Sequence, residues 1–221
     1  MLKPKISKHL RIDNKCKRCF VREDHCFCHE VEAIKNFHPV TFIVHSKELH
    51  LASNTARLAH HSLDNSYFLP RGVQNQPLDE SQILLPDCEN VVLFPTDEAE
   101  ILDLDFVKRF PRIHLIVPDG NWDGARKVKQ RVKVLRPLRA VKIAGAPQAR
   151  SFMRQAPGPG FLSTIEAVAY AVGAMEGLSA QEALLRNLDR LQAIVLALRD
   201  GGQILRQLTE LGRWPPAIKD G

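Results

Sequence analysis

With 221 residues, 44% hydrophobic and 25% charged, the chain is large enough for one α/β domain with a small appendage, and its composition is that of an ordinary globular protein. A net charge of +6 and a pI near 9.2 favour a polyanionic partner. No apolar run approaches the roughly 18–20 residues of a membrane span, and "MLKPKISKHLRIDNK" lacks the apolar centre of a signal peptide, so a soluble, cytoplasmic protein with no membrane partner is expected.

In chain order, the first segment is basic, with eight Lys or Arg between Met1 and Arg22; eight more follow between Arg126 and Lys142. Such stretches are either nucleic-acid contacts or a basic tail and a solvated helix face. The arm runs into "CKRCFVREDHCFC", which holds four of the five cysteines within thirteen residues. In a reducing compartment, clustered thiols point to a metal rather than to disulfides. Cys16 and Cys19 form C-x-x-C, and Cys26 and Cys28 form C-x-C; four thiolates on short loops can close a tetrahedron around a structural zinc ion. The metal would supply the folding energy that so few apolar residues cannot. An iron–sulfur cluster and unligated thiols are the other readings, and His25 or His29 could replace one thiolate. A closed four-cysteine site has no open position, so no catalysis is assigned to it. Cys88, alone in "LLPDCEN", reads as a small buried or loop residue.

Beyond the knuckle, "PVTFIVHSKE" predicts a strand ending near His45, and "SNTARLAHHSL" a helix capped by Ser53 or Asn54. "SQILLPDCENVVLFPTDEAEILDLDFVKRF" predicts one or two short strands and then a helix, with Thr96 as a cap and Asp97 and Glu98 at its positive end. "IHLIV" is a buried strand, a basic helix starts around Trp122, and "LRAVKI" is another short strand. "LSTIEAVAYAVGAMEGL" is apolar around most of its circumference and therefore a buried helix, with Ser163 and Glu166 as a capping box. Two more helices follow, split at Gly201 and Gly202, the first with a capping box of Ser179 and Glu182. Short apolar strands alternating with helices predict an α/β fold, a mostly parallel sheet flanked by helices. The expected organisation is an arm and knuckle over 1–37, a catalytic domain over 38–200, and a C-terminal helix and tail over 201–221 packed on it.

Ligands of an open parallel sheet collect beyond the carboxyl ends of the strands. Four polar clusters fall there: "HSKELHLASNT", "FPTDEA", "PDGNWDGARK" and "RQAPGPGFLSTIEA". Each has a bland explanation alone; together they build a pocket. No G-x-G-x-x-G follows a strand and no G-x-x-x-x-G-K-[ST] occurs, which argues against a Rossmann site and a P-loop.

Taken in order, the knuckle, "HSKELHLASNTARLA", "LFPTDEA", "DGNW" with "ARK", and "FMRQAPGPGFLSTIEAVA" resemble the DTW-domain family, the tRNA-uridine aminocarboxypropyltransferases, from about Arg11 to Leu198. The family's D-x-T-W motif stands here as Asp119, Gly120, Asn121 and Trp122, with Asn at the third position in place of Thr. The resemblance implies a SPOUT-like fold with a C-terminal knot. It implies transfer of the 3-amino-3-carboxypropyl group of S-adenosylmethionine to N3 of a tRNA uridine, in the variable loop in the bacterial members, with release of 5'-methylthioadenosine.

On that footing Asp119 is the candidate general base, because N3 must lose its proton before it attacks. The cofactor would be held by Leu93, Phe94, Pro95, Thr96, Pro118, Gly120, Asn121, Trp122, Leu162, Ser163, Thr164 and Glu166. Arg154 would pair with the carboxylate of the transferred group, and Glu166 is an alternative partner for its ammonium. His45, Glu48, Asn54, Thr55, Arg57, Arg126, Lys127, Lys129 and Arg131, with Lys133 beside them, are the expected tRNA contacts. The rival readings are a ribosomal RNA as acceptor, a SPOUT-type methyl transfer, and a zinc-dependent RNA-binding protein without catalysis. Many SPOUT enzymes are dimers; here the tail helices, by covering that surface, favour a monomer.

Overall fold

The computed structural model describes residues 14–120, 122–145, 147, 149–151, 162–198 and 203–210. Among these, the strands β1 (Val40–His45), β2 (Ser66–Arg71), β3 (Glu89–Leu93), β4 (Glu100–Ile101), β5 (Ile113–Pro118) and β6 (Arg139–Lys142) form one sheet in the order β2-β1-β5-β3-β6-β4. Every pairing is parallel. The helices are α1 (Thr55–Ser62), α2 (Leu104–Lys108), α3 (Trp122–Arg131), α4 (Thr164–Glu176), α5 (Leu178–Leu198) and α6 (Gln203–Glu210).

Side chains alternate across a strand, and here the alternation divides the core in two. Phe42, Val44, Val91, Leu93, Leu115 and Val117 face a layer built from α1, α4 and α5, where they meet Ala56, Ile165, Val168, Leu184 and Leu188. Ile43, Val92 and Ile116, one residue out of phase, face α3 and the turn after it, against Ala125, Val128, Val132 and Leu135. The apolar circumference of α4 follows from its place between the sheet and α5: Ile165, Val168, Ala169 and Val172 are fully enclosed.

The segment around the cysteines has no separate core. Cys19, Val21 and Phe27 are buried in the same cluster as β1 and α4. The Arg57 guanidinium of α1 stacks on Phe20 at 4.5 Å, and His61 Nε2 meets the Arg18 carbonyl at 2.9 Å. The basic arm over 1–13 lies outside the described residues.

Three local expectations change. Strand β2 does not stand out in the sequence: it is a half-exposed edge containing Pro70, a residue that a sheet tolerates at an edge. Helix α2 is capped by Asp103, whose Oδ1 accepts from the Phe106 N–H at 2.8 Å, so Thr96, Asp97 and Glu98 form a loop ahead of β4. Helix α5 begins at Leu178, which puts Ser179 inside its first turn. Of the C-terminal region in which a knot is expected, 152–161, 199–202 and 211–221 lie outside the described residues.

Candidate active site

Parallel pairing brings the carboxyl ends of β1, β5, β3 and β6 to one edge. Asp119 leaves β5 there, its N–H donating to the Ile43 carbonyl at 2.9 Å, and is 6% exposed. Gly120 follows at φ +140°, a backbone geometry that side chains disfavour; no neighbour stands within 4 Å of where a Cβ would be, so conformation alone calls for glycine. The chain then turns into α3.

Two further helices begin beside Asp119. Asn54 caps α1: its Oδ1 accepts from the Arg57 N–H at 2.7 Å, which fixes the amide so that Nδ2 donates to Asp119 Oδ2 at 3.1 Å. Thr164, the first residue of α4, donates its hydroxyl to Asp119 Oδ1 at 2.6 Å. Both carboxylate oxygens are thus held from helix N-termini, whose unpaired N–H groups carry partial positive charge. Asn54 is 4% exposed and Thr55 9% exposed, so neither presents a surface to a polymer.

A cavity of about 240 Å³ opens beside this cluster. Its walls include Leu93, Phe94, Pro95, Pro118, Gly120, Leu162 and Thr164, seven of the residues expected to hold the cofactor. Lys142, Ile143, Gly145 and Pro147 also line it from the end of β6, with Val117, Ala125 and Ala167, and were not anticipated. Lys142 is the most telling of these: its Nζ lies 3.3 Å from the Thr96 carbonyl and puts a cation on the wall. The signal was present, a lysine at the end of an apolar strand. Thr96 lies in an adjoining groove of about 620 Å³, with Arg126, Lys129 and Arg136.

Glu166 is 1% exposed and turned inward. It accepts from the Ser163 N–H at 2.7 Å and from its hydroxyl, and also from the N–H groups of Arg150 and Ser151. The expected capping box is present, and the same carboxylate ties the chain after β6 to the start of α4. Arg150 in turn pairs with Asp189 at 2.8 Å, and burial pushes the Asp189 carboxyl up to about 6. Asn121, Arg154 and the Trp122 side chain lie outside the described residues, although Trp122 does open α3 as expected.

Of the expected RNA contacts, Arg126, Lys127 and Arg131 are exposed on α3 and Lys129 is half-buried. Lys133 opens the short turn that follows. His45 and Glu48 are half-buried at the end of β1. Arg57 is an internal tie, bound to the Leu49 carbonyl and stacked between Phe20 and Phe68.

The sulfurs of Cys16, Cys19, Cys26 and Cys28 all lie within 4.8 Å of one another. Cys16 and Cys28 are 3.8 Å apart, and Cys19 and Cys26 are 3.9 Å apart. A zinc–sulfur bond of about 2.3 Å requires tetrahedral edges of about 3.8 Å, so these two separations have that length and the cluster is compatible with such an ion. Without a cation, burial pushes the Cys19 thiol up to about 11. His25 and His29 face Asp24 and Glu30 instead. Cys88 is a half-buried loop residue before β3.

The DTW domain family model matches residues 13–196, so the chain belongs to the DTW domain family. No curated protein sequence matches it. Among solved structures, the chain is similar to the SAM-dependent rRNA:acp-transferase Tsr3 from Vulcanisaeta distributa, at 20% identity and a TM-score of 0.47, over 78% of this chain and 97% of that one. No helix among the described residues is long and apolar enough to cross a membrane.

Proposed function

We propose that this DTW-domain protein is an S-adenosylmethionine-dependent aminocarboxypropyltransferase that modifies N3 of a tRNA uridine, in the variable loop, and that its four cysteines hold a structural zinc ion. The observation that carries the reading is the placement of Asp119. Its carboxylate is anchored by Asn54 and Thr164, while Pro118, Gly120 and Thr164 line the strand-end cavity.

The residues present fit the donor. Leu93, Phe94, Pro95, Pro118 and Leu162 offer apolar walls for an adenosine, and Lys142 offers a cation for a carboxylate. The donor supplies a carbon next to a sulfonium, and the neutral thioether departs with the bonding pair as 5'-methylthioadenosine. Asp119 takes the N3 proton as the new C–N bond forms. The bonds from Asn54 and Thr164 fix the direction of the carboxylate. Because the leaving group needs little help, the protein's main contribution is alignment of the carbon with N3, which can be worth about 7 kcal/mol or more. The zinc site, closed by four thiolates, shapes the surface beside α1 and takes no part in the chemistry.

Mass spectrometry of tRNA incubated with the protein and S-adenosylmethionine tests this. The expected products are tRNA heavier by one aminocarboxypropyl group and 5'-methylthioadenosine, and Asp119→Asn should stop both while leaving the circular dichroism spectrum unchanged. Methylated RNA, or near-normal transfer by Asp119→Asn, would refute the corresponding part.

A further inference from the structure

We infer that the carboxyl ends of β1 and β2, together with the last turn of α3, form an RNA-backbone contact in which His45, Lys47, Arg71 and Arg131 engage phosphate. The inference rests on the reading of the protein as an RNA-modifying enzyme and says where the polymer runs once it has left the catalytic loop.

The parallel register of β1 and β2 places His45 directly abreast of Arg71. The chain then approaches itself closely. Ser46 donates its hydroxyl to the Gly72 carbonyl at 2.7 Å, and His45 Nε2 lies 3.2 Å from where a Cβ at Gly72 would stand. With φ at +71°, glycine is what lets the imidazole pack there. His45 Nδ1 accepts from the Lys47 N–H at 3.2 Å, so the neutral ring carries its proton on Nε2 and offers a donor beside Arg71. Burial, followed by the charges of Arg71 and Lys47, holds His45 below its ordinary value, with Glu48 opposing. The basicity of Arg71 is likewise reduced, first by burial and then by Arg131. Arg71 and Lys47 thus act on His45, and Arg131 acts on Arg71.

The cluster sets three cations, Lys47, Arg71 and Arg131, against one carboxylate that acts on His45, Glu48. Elsewhere, Arg109 and Arg139 pair with Glu100, Arg186 and Arg190 with Glu32, and Arg150 with Asp189. Among the described residues Lys47, Arg71 and Arg131 pair with no carboxylate, and the buried Arg71 Nε meets no acceptor. Like charges gathered at a protein edge repel one another, and a polyanion that bridges them removes the repulsion while releasing counterions. Arg126 and Lys127, exposed along α3, continue the same track toward the Asp119 loop.

The test measures tRNA affinity against potassium chloride concentration for the full chain. Lys47→Ala with Arg71→Gln should weaken binding and reduce the slope of log K on log salt by about 1.4–1.8, for two phosphates at ~0.7–0.9 each. Lys47→Ala with Arg131→Ala, both exposed positions, should give the same loss even if the Arg71 variant is poorly folded. Arg109→Ala, on the far side of the sheet, should leave the slope unchanged. Wild-type slope and affinity in both double variants would overturn the contact. Transfer is scored separately in the same samples: wild type that binds tRNA without transferring anything refutes the catalytic reading, and the slopes still decide the patch. Normal transfer with unchanged slopes refutes the patch alone, and a wild type that binds no tRNA refutes both.

Discussion

Replacing Glu166 by Gln should destabilise the fold and loosen the cofactor cavity together. The carboxylate is fully enclosed, with Oε1 accepting from Arg150 and Ser151 and Oε2 from Ser163. Gln has nearly the same volume, so no cavity term enters. It has one acceptor oxygen, however, and an NH2 group that must face one of the two sets of N–H donors whichever way the amide is turned. A hydrogen bond to a charged group is worth about 1.5–3 kcal/mol net, and a buried donor left facing another donor adds about 1–3 kcal/mol. With some relaxation of 149–151, a loss of about 3 kcal/mol is expected. For a domain of this size each kcal/mol is worth about 2–4 °C, so Tm should fall by about 6–12 °C. Differential scanning fluorimetry reads this directly. S-adenosylmethionine affinity, read by titration calorimetry well below the transition, should fall as well, because Gly145 and Pro147 line one wall and Leu162 and Thr164 another. A Tm within about 2 °C of wild type would show that Glu166 does not tie these segments as described.

Acid should destabilise the protein through His114. It is fully buried, bridges Thr41 and Asn90 at 2.7 Å each, and is held by burial at about 4. The unfolded chain takes up this proton near 6.5 and the folded chain only near 4, so stability is full above about 6.5 and falls by about 3 kcal/mol as pH drops to 4. Asp189, raised to about 6, acts oppositely between about 4 and 6, so the decisive quantity is the difference between wild type and His114→Gln in urea midpoints at pH 7 and 5; equal acid losses would count against the assignment. Cys19→Ser should abolish zinc uptake, measured by plasma mass spectrometry, and lower Tm, because Cys19, Val21 and Phe27 belong to the common core; a visible absorption band in the purified wild type would instead indicate an iron–sulfur centre. Lys142→Met should raise the KM for S-adenosylmethionine about 10–100-fold, the equivalent of one charge-assisted hydrogen bond, with a smaller effect on kcat; an unchanged KM would remove Lys142 from the donor site.

The parts of the fold that rest on local physics were readable. The apolar runs that became β1, β3, β5 and β6 announce themselves, the capping box of α4 sits where its spelling puts it, and four closely spaced cysteines converge within a few ångströms. What escaped depends on partners far along the chain. Strand β2 is defined by its pairing with β1, since its own residues are half-exposed and include a proline. Strand β4 has two residues and exists because β6, some forty positions later, pairs with it; without that pairing in view, the helix cap is read at Thr96 rather than at Asp103. Arg57 read as a surface cation because nothing nearby in sequence reveals Phe20 and Phe68 on either side of it.

Asn54 shows how local and distant information combine at one side chain. As a cap, Ser53 and Asn54 were interchangeable on sequence grounds, because either offers an oxygen to a helix N-terminus. The fold distinguishes them through Asp119, which lies 65 positions away and reaches this point because β5 runs beside β1. Capping uses an acceptor, and holding the carboxylate uses a donor on the same side chain. The amide has both, fixed in direction by the Arg57 N–H. Aspartate would keep the cap but set a second negative charge about 3 Å from Asp119, where at an effective dielectric of about 20 the repulsion reaches several kcal/mol. Alanine would lose the cap, at a cost of about 1 kcal/mol, and would free one carboxylate oxygen to turn away from the cavity. Asn54 therefore belongs to the anchoring of Asp119, and its effect on the reaction passes through that carboxylate, whose other oxygen is held by Thr164.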